Sequence, residues 1–118
     1  MKFTIDRETW MRGDTRLSYL LSSVSKKKCC LGFCSLALGY TEEEILDLKT
    51  PWKATDVNNK NLFPKTLIYN DPMTDTLSHS ELCWQLMRCN DGRIAEHERE
   101  AMIQELFAQA GLEVEFIN

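Results

Sequence analysis

Lys26-Lys27-Lys28-Cys29-Cys30-Leu31-Gly32-Phe33-Cys34-Ser35-Leu36-Ala37-Leu38-Gly39 passes in a single step from three cations to an uncharged run rich in cysteine. The switch marks a surface segment entering a core. As a helix, Cys29 to Leu38 carries Cys30, Cys34, Ala37 and Leu38 on one face and Leu31, Phe33 and Leu36 on others. A helix apolar on every side belongs in the middle of a fold. Gly32 inside it costs about 1 kcal/mol relative to alanine, which predicts that another backbone approaches closely there. Gly39 supplies a C-terminal cap. Directly beyond it, Thr41-Glu42-Glu43-Glu44 has the form of a capping box, with the acids placed well for the helix dipole. The helix it opens runs through Ile45, Leu46 and Leu48 and ends before Pro51.

Working outward, Phe3-Thr4-Ile5 reads as a short strand, followed by an Asp6-capped helical turn over Arg7 to Met11 that Gly13 stops. From Asp14, the spacing of Leu17, Leu20, Leu21 and Val24 predicts a helix with a serine-rich end. Residues 51–76, with Pro51, Pro64 and Pro72, read as a long irregular connection in which only Thr66 to Tyr69 resembles a strand. A helix is expected from Ser78 or His79 to Arg88, closed by an Asn90-Asp91-Gly92 turn. The last helix, Glu96 to Ala110, has Ile103, Leu106, Phe107 and Ala110 on one face and Gly111 as its cap, and Leu112 to Ile117 alternates as a half-buried strand. The fold class that follows is α+β: one mostly helical domain over residues 1–118, with a small sheet that includes the N- and C-terminal strands.

Composition narrows the setting. A chain of 118 residues, 43% hydrophobic and 27% charged, can bury a core without staples. No apolar run is long enough to span a bilayer, and Asp6, Arg7 and Glu8 interrupt the region where a signal peptide needs its apolar stretch, so the expected location is cytoplasmic. Five cysteines, at 29, 30, 34, 83 and 89, include an adjacent pair and form a poor disulfide framework, which favours reduced thiols. The formal net charge is −4 but it is polarised. Residues 1–28 carry seven Lys/Arg against three Asp/Glu, whereas residues 91–118 carry two against seven. Such polarity steers charged partners, or draws the two ends together.

Four constellations bear on chemistry. Trp10, Arg12, Arg16, Lys26, Lys27 and Lys28 combine a stacking face with cations suited to phosphate, and so predict a site for a small anion or nucleotide; the acidic overall balance disfavours general DNA binding. Cys30 and Cys34, each four apart on one helix, and His79 and Cys83 on another, are weak candidates for a tetrahedral metal site, against the plainer reading of packed thiols. Cys29, beside Lys28 at a helix start, is a nucleophile candidate needing His79 or His97 as base. Glu96, Glu98, Glu100 and Glu105 could mimic a nucleic-acid surface, although Arg99 among them suits ordinary helix support. No carboxylate pair, glycine-rich phosphate loop or Ser-His-Asp set is recognisable, and no cofactor is implied.

Ile5-Asp6 with Thr9-Trp10-Met11-Arg12-Gly13, Cys29-Cys30-Leu31-Gly32-Phe33, Leu38-Gly39, Asn90-Asp91, Glu98-Arg99-Glu100 and the closing Phe116-Ile117 together resemble small, functionally uncharacterised proteins of bacteriophages and prophages. The resemblance implies a phage accessory protein in the cytoplasm of an infected bacterium. Its expected partner is a host or phage protein, and its expected action is binding to a host or immune component, antagonism of a defence system included. Retention of a small anionic ligand and cysteine-based or metal chemistry are the alternatives.

Overall fold

A computed structural model describes residues 1–13 and 18–118. The architecture is mixed α+β. Strand β1 (Lys2–Asp6) pairs in parallel with β4 (Glu113–Ile117), Lys2 opposite Glu113 and Ile5 opposite Phe116. A parallel pair needs a long crossover, and here nearly the whole chain provides it. Phe3, Ile5 and Val114 point inward. They are met by α1 (Cys30–Ala37), which packs on β1, and α5 (Glu96–Gln109), which packs on β4. The Phe3 and Phe107 rings meet edge to face at 5.0 Å. Between them lie α2 (Glu42–Ile45), α3 (Pro51–Asn58), an antiparallel hairpin of β2 (Ile68–Asp71) and β3 (Thr76–His79), and α4 (Glu81–Asp91).

Helix α1 is the centre of the core, with six consecutive residues from Cys30 to Ser35 buried. Gly32 meets the predicted close approach: a Cβ there would overlap the Leu20 carbonyl oxygen and stand 2.7 Å from its carbon. Gly39 takes φ +113° just past the helix end. The capping box forms as read, with Thr41 Oγ1 accepting from the Glu44 amide and the Glu44 carboxylate accepting from the Thr41 amide.

Other elements depart from the reading. Arg7 to Thr9 form a tight turn under Asp6 rather than a helical turn to Met11, because Trp10 is drawn into extended pairing with Lys28. The helix predicted from Asp14 is absent over its described part. Leu20 and Leu21 are buried outside any helix, Leu20 at a bend and Leu21 bridging Leu46, whereas Val24 is exposed. The serines decide this: Ser22 Oγ accepts from the amides of Val24 and Ser25 and closes a turn. Helix α2 stops at Ile45, since Leu46 is extended to meet Leu21. The connection read as irregular over 51–76 holds α3 and most of the hairpin; Thr50 caps α3 and Pro51 occupies its first turn, where a missing N–H costs nothing. His79 ends β3, so α4 starts later than read, capped by Ser80, and it retains Asn90 and Asp91 in its last turn. Among the described residues, no helix is long and apolar enough to cross a membrane.

Candidate functional site

The residue that organises the centre is Asn90, buried in the last turn of α4. Its Oδ1 accepts from the Trp10 indole N–H at 2.8 Å and the Cys30 amide at 3.0 Å. Its Nδ2 donates to the Met11 carbonyl and the Asp91 carboxylate, and its own carbonyl accepts from the Gly13 amide and from Arg99. Arg99 is buried and donates to the carbonyls of Cys89, Asn90 and Ile94, covering the C-terminal end of α4. Among the described residues its Nε has no hydrogen-bond partner and a distant ion pair, 3.7 Å from Glu96. Arg99 is therefore not the exposed helix-support cation of the sequence reading: one fork of donors fastens α5 to α4.

Above this hub lies an open cleft of about 520 Å³. Its floor is Ser18 with Cys29, Cys30 and Leu31 at the start of α1. A stripe of α4 formed by Trp84, Met87, Arg88 and Asp91 lines it as well, as do Lys49 and Thr50 before α3. Trp84 is 45% exposed and meets His79 edge to face at 4.9 Å. His79 Nε2 accepts from the Trp52 amide at 3.0 Å, and burial lowers the His79 pKa. The His79 and Trp84 rings thus pack together next to the cleft, and the Trp52 amide ties them to α3, so that α3, β3 and α4 are joined there. Arg88 is held by Glu81 at 2.9 Å in an exposed pair that an incoming anion can displace.

Among the described members of the predicted anion set, Trp10 lies beside Arg12 and pairs through its backbone with Lys28, but Lys26 and Lys28 border a different hollow. Trp10 is buried on Asn90. Arg12 lies over the Trp10 ring at 4.4 Å, pairs with Glu96 at 2.6 Å and donates to the Arg7 and Trp10 carbonyls, so its Nε and Nη1 donors are used within the protein. Arg16 lies outside the described residues. Lys26, in a left-handed turn at φ +64°, and Lys28, over the Phe33 ring at 4.8 Å, border a separate hollow of about 310 Å³ shared with Glu42 and Glu43. Lys27 is exposed on the same turn.

Cys30, Cys34, His79 and Cys83 do not assemble. His79 accepts from the Trp52 backbone amide and packs on the Trp84 ring, and no group of three metal-ligating side chains occurs among the described residues. All five thiols are free and buried. Burial pushes Cys29 up to about 11 and Cys83 up to about 12, and raises Cys30, Cys34 and Cys89 as well. At Cys29 desolvation outweighs the amides of Leu31 and Gly32 that favour the thiolate, so the activation expected from Lys28 and the helix start is reversed. In the acidic set, Glu96 and Glu100 are tied to Arg12 and Arg7, leaving Glu98 and Glu105 on the outer face of α5. The cleft itself was missed. Its signal was the i, i+3, i+4, i+7 spacing of Trp84, Met87, Arg88 and Asp91, a second stripe beside the buried one. Compared with known protein families, with curated proteins and with solved structures, the chain matches none.

Proposed function

We propose that this chain is a phage accessory protein that acts by binding a host or immune component, and that the cleft beside the His79 and Trp84 rings is its recognition surface. The observation that carries the reading is the placement of a half-exposed tryptophan, a methionine and an arginine along the stripe of α4 that lines a cleft of about 520 Å³. Tryptophan and arginine contribute disproportionately to binding energy, and methionine adapts to irregular partners. The phage-like motifs supply the expected class of partner. Affinity capture from expressing bacteria should recover a stable host protein with the native chain and lose it with Trp84→Ala and with Arg88→Glu. Both positions are exposed, and unchanged circular dichroism checks that the variants fold. Capture of no stable partner defeats the reading, and a partner held equally well by both variants defeats the assignment to the cleft.

A second reading, retention of a small anion with an aromatic or apolar body, is favoured by Lys49 and Arg88 on the same largely apolar cleft. It moves the anion site from the N-terminal cations to a different pair. Mass spectrometry of molecules released by denaturing the purified protein distinguishes the two, since a released anion that Lys49→Glu abolishes belongs to this reading alone.

A further inference from the structure

The parallel ladder leaves one strand edge open. Glu113 donates its N–H to the Met1 carbonyl, and the Ile117 carbonyl accepts from the Arg7 amide, both at 2.9 Å. With the observed register, Glu113, Glu115 and Ile117 direct their backbone groups toward β1. The N–H and C=O groups of Val114 and Phe116 therefore point the other way, and no described residue takes them up. A hollow of about 330 Å³ lies beside β4, bordered by Lys2 of β1, by Arg7, Glu100 and Gln104 and by β4 itself. On the solvent face of the strand stand the exposed Glu113 and Glu115. Lys2 reaches Glu115 at 3.5 Å, with both side chains more than half exposed, so that pair offers little resistance to exchange.

We propose that the free edge of β4 accepts an extended segment of a partner protein as a third strand, and that this segment carries Lys or Arg at alternate positions. Backbone pairing to Val114 and Phe116 supplies the attachment, while cations spaced two residues apart meet Glu113 and Glu115. The intervening side chains enter a hollow whose border is mostly polar, which suits threonine or serine. A second copy of this chain meets like-charge opposition in two of the antiparallel registers open to it, and the remaining one, centred on Phe116, sets Glu115 against Ile117 and is left to the test. An antiparallel β4 pair centred on residue 115 sets Glu115 against itself, and one centred on 114 sets Glu113 against Glu115. Like charges directly opposite one another disfavour pairing. This surface is separate from the cleft, and the two stand or fall independently.

The test uses the full chain and blocked heptapeptides of alternating threonine and lysine or alternating threonine and glutamate. In the free protein, the Val114 and Phe116 amides should exchange with solvent faster than those of Glu115 and Ile117. Saturation with the lysine peptide should slow them, and the glutamate peptide should not. Glu113→Lys/Glu115→Lys changes two exposed positions and should weaken the lysine peptide at least about tenfold while admitting the glutamate peptide; unchanged amide exchange elsewhere checks that the variant is folded. Val114 and Phe116 amides unaffected by saturating lysine peptide, or equal affinity of both peptides for the native chain, overturns the proposal. So does slowing of those amides with rising protein concentration alone, which would mean that a second copy pairs there.

Discussion

At Gly32 two opposing terms can be compared by size. Alanine would gain about 1 kcal/mol in helix propensity. Its methyl group would have to displace the Leu20 backbone, and overpacking against a fixed neighbour costs about 3 kcal/mol or more. Gly32→Ala is therefore expected to lower unfolding free energy by about 2 kcal/mol or more in a denaturant titration, and a neutral result would mean that the 20–32 contact is loose. Asn90→Ala leaves the Trp10 indole N–H and the Cys30 amide without their acceptor, a loss expected at about 3 kcal/mol. Unchanged stability would show that water replaces the lost carbonyl. The glycine was legible because its cost is local. Asn90 read as turn chemistry, since its two acceptor contacts come from residues 80 and 60 positions away in the chain.

The elements divide in the same way. The Thr41 box is complete within four residues, so its chemistry appeared in full before any tertiary contact was considered. Thr41→Ala should cost about 1 kcal/mol and Thr41→Ser only a few tenths, measured by thermal or chemical unfolding. Equal losses for the two would assign the effect to the threonine methyl rather than to the cap. The length of α2 was not legible, because Leu46 fits a helix by propensity and leaves it only to pair with Leu21. The 18–25 segment failed for a related reason. Leucines at helical spacing satisfy a helix or a buried non-helical chain equally well, and the Ser22 hydroxyl and the Gly32 backbone together favour the latter. Helix α3 was hidden because its three features, Thr50, Pro51 and a buried Ala54, fall in a segment whose prolines and asparagines suggest a loop.

Across the whole molecule, His79 links the aromatic group to stability in a pH-dependent way. Its folded pKa lies below the ordinary 6.5 because burial disfavours the cation. The unfolded chain consequently binds the proton first. The contribution is complete above 6.5 and is lost as pH falls through the lowered folded value, when Nε2 can no longer accept from the Trp52 amide. Acid titration should reduce stability and change tryptophan emission within that window. His79→Gln, which keeps an acceptor and cannot titrate, should remove the step; its persistence would assign it to other groups.

What the sequence by itself determined were features encoded within one or two helical turns: the apolar central helix, the cap of α2, the glycine stops, the inward face of α5 and the alternation of both terminal strands. Each rests on propensity, hydrogen bonding or periodicity among near neighbours. Only the tertiary structure decided that the terminal strands pair in parallel, that Trp10 and Arg12 are engaged inside the protein, and that Trp84, Met87 and Arg88 share a cleft with Lys49. Those outcomes depend on how elements cross in space. A side chain's surroundings there are set by residues tens of positions away, and burial reverses the chemistry that the same residue suggests in sequence.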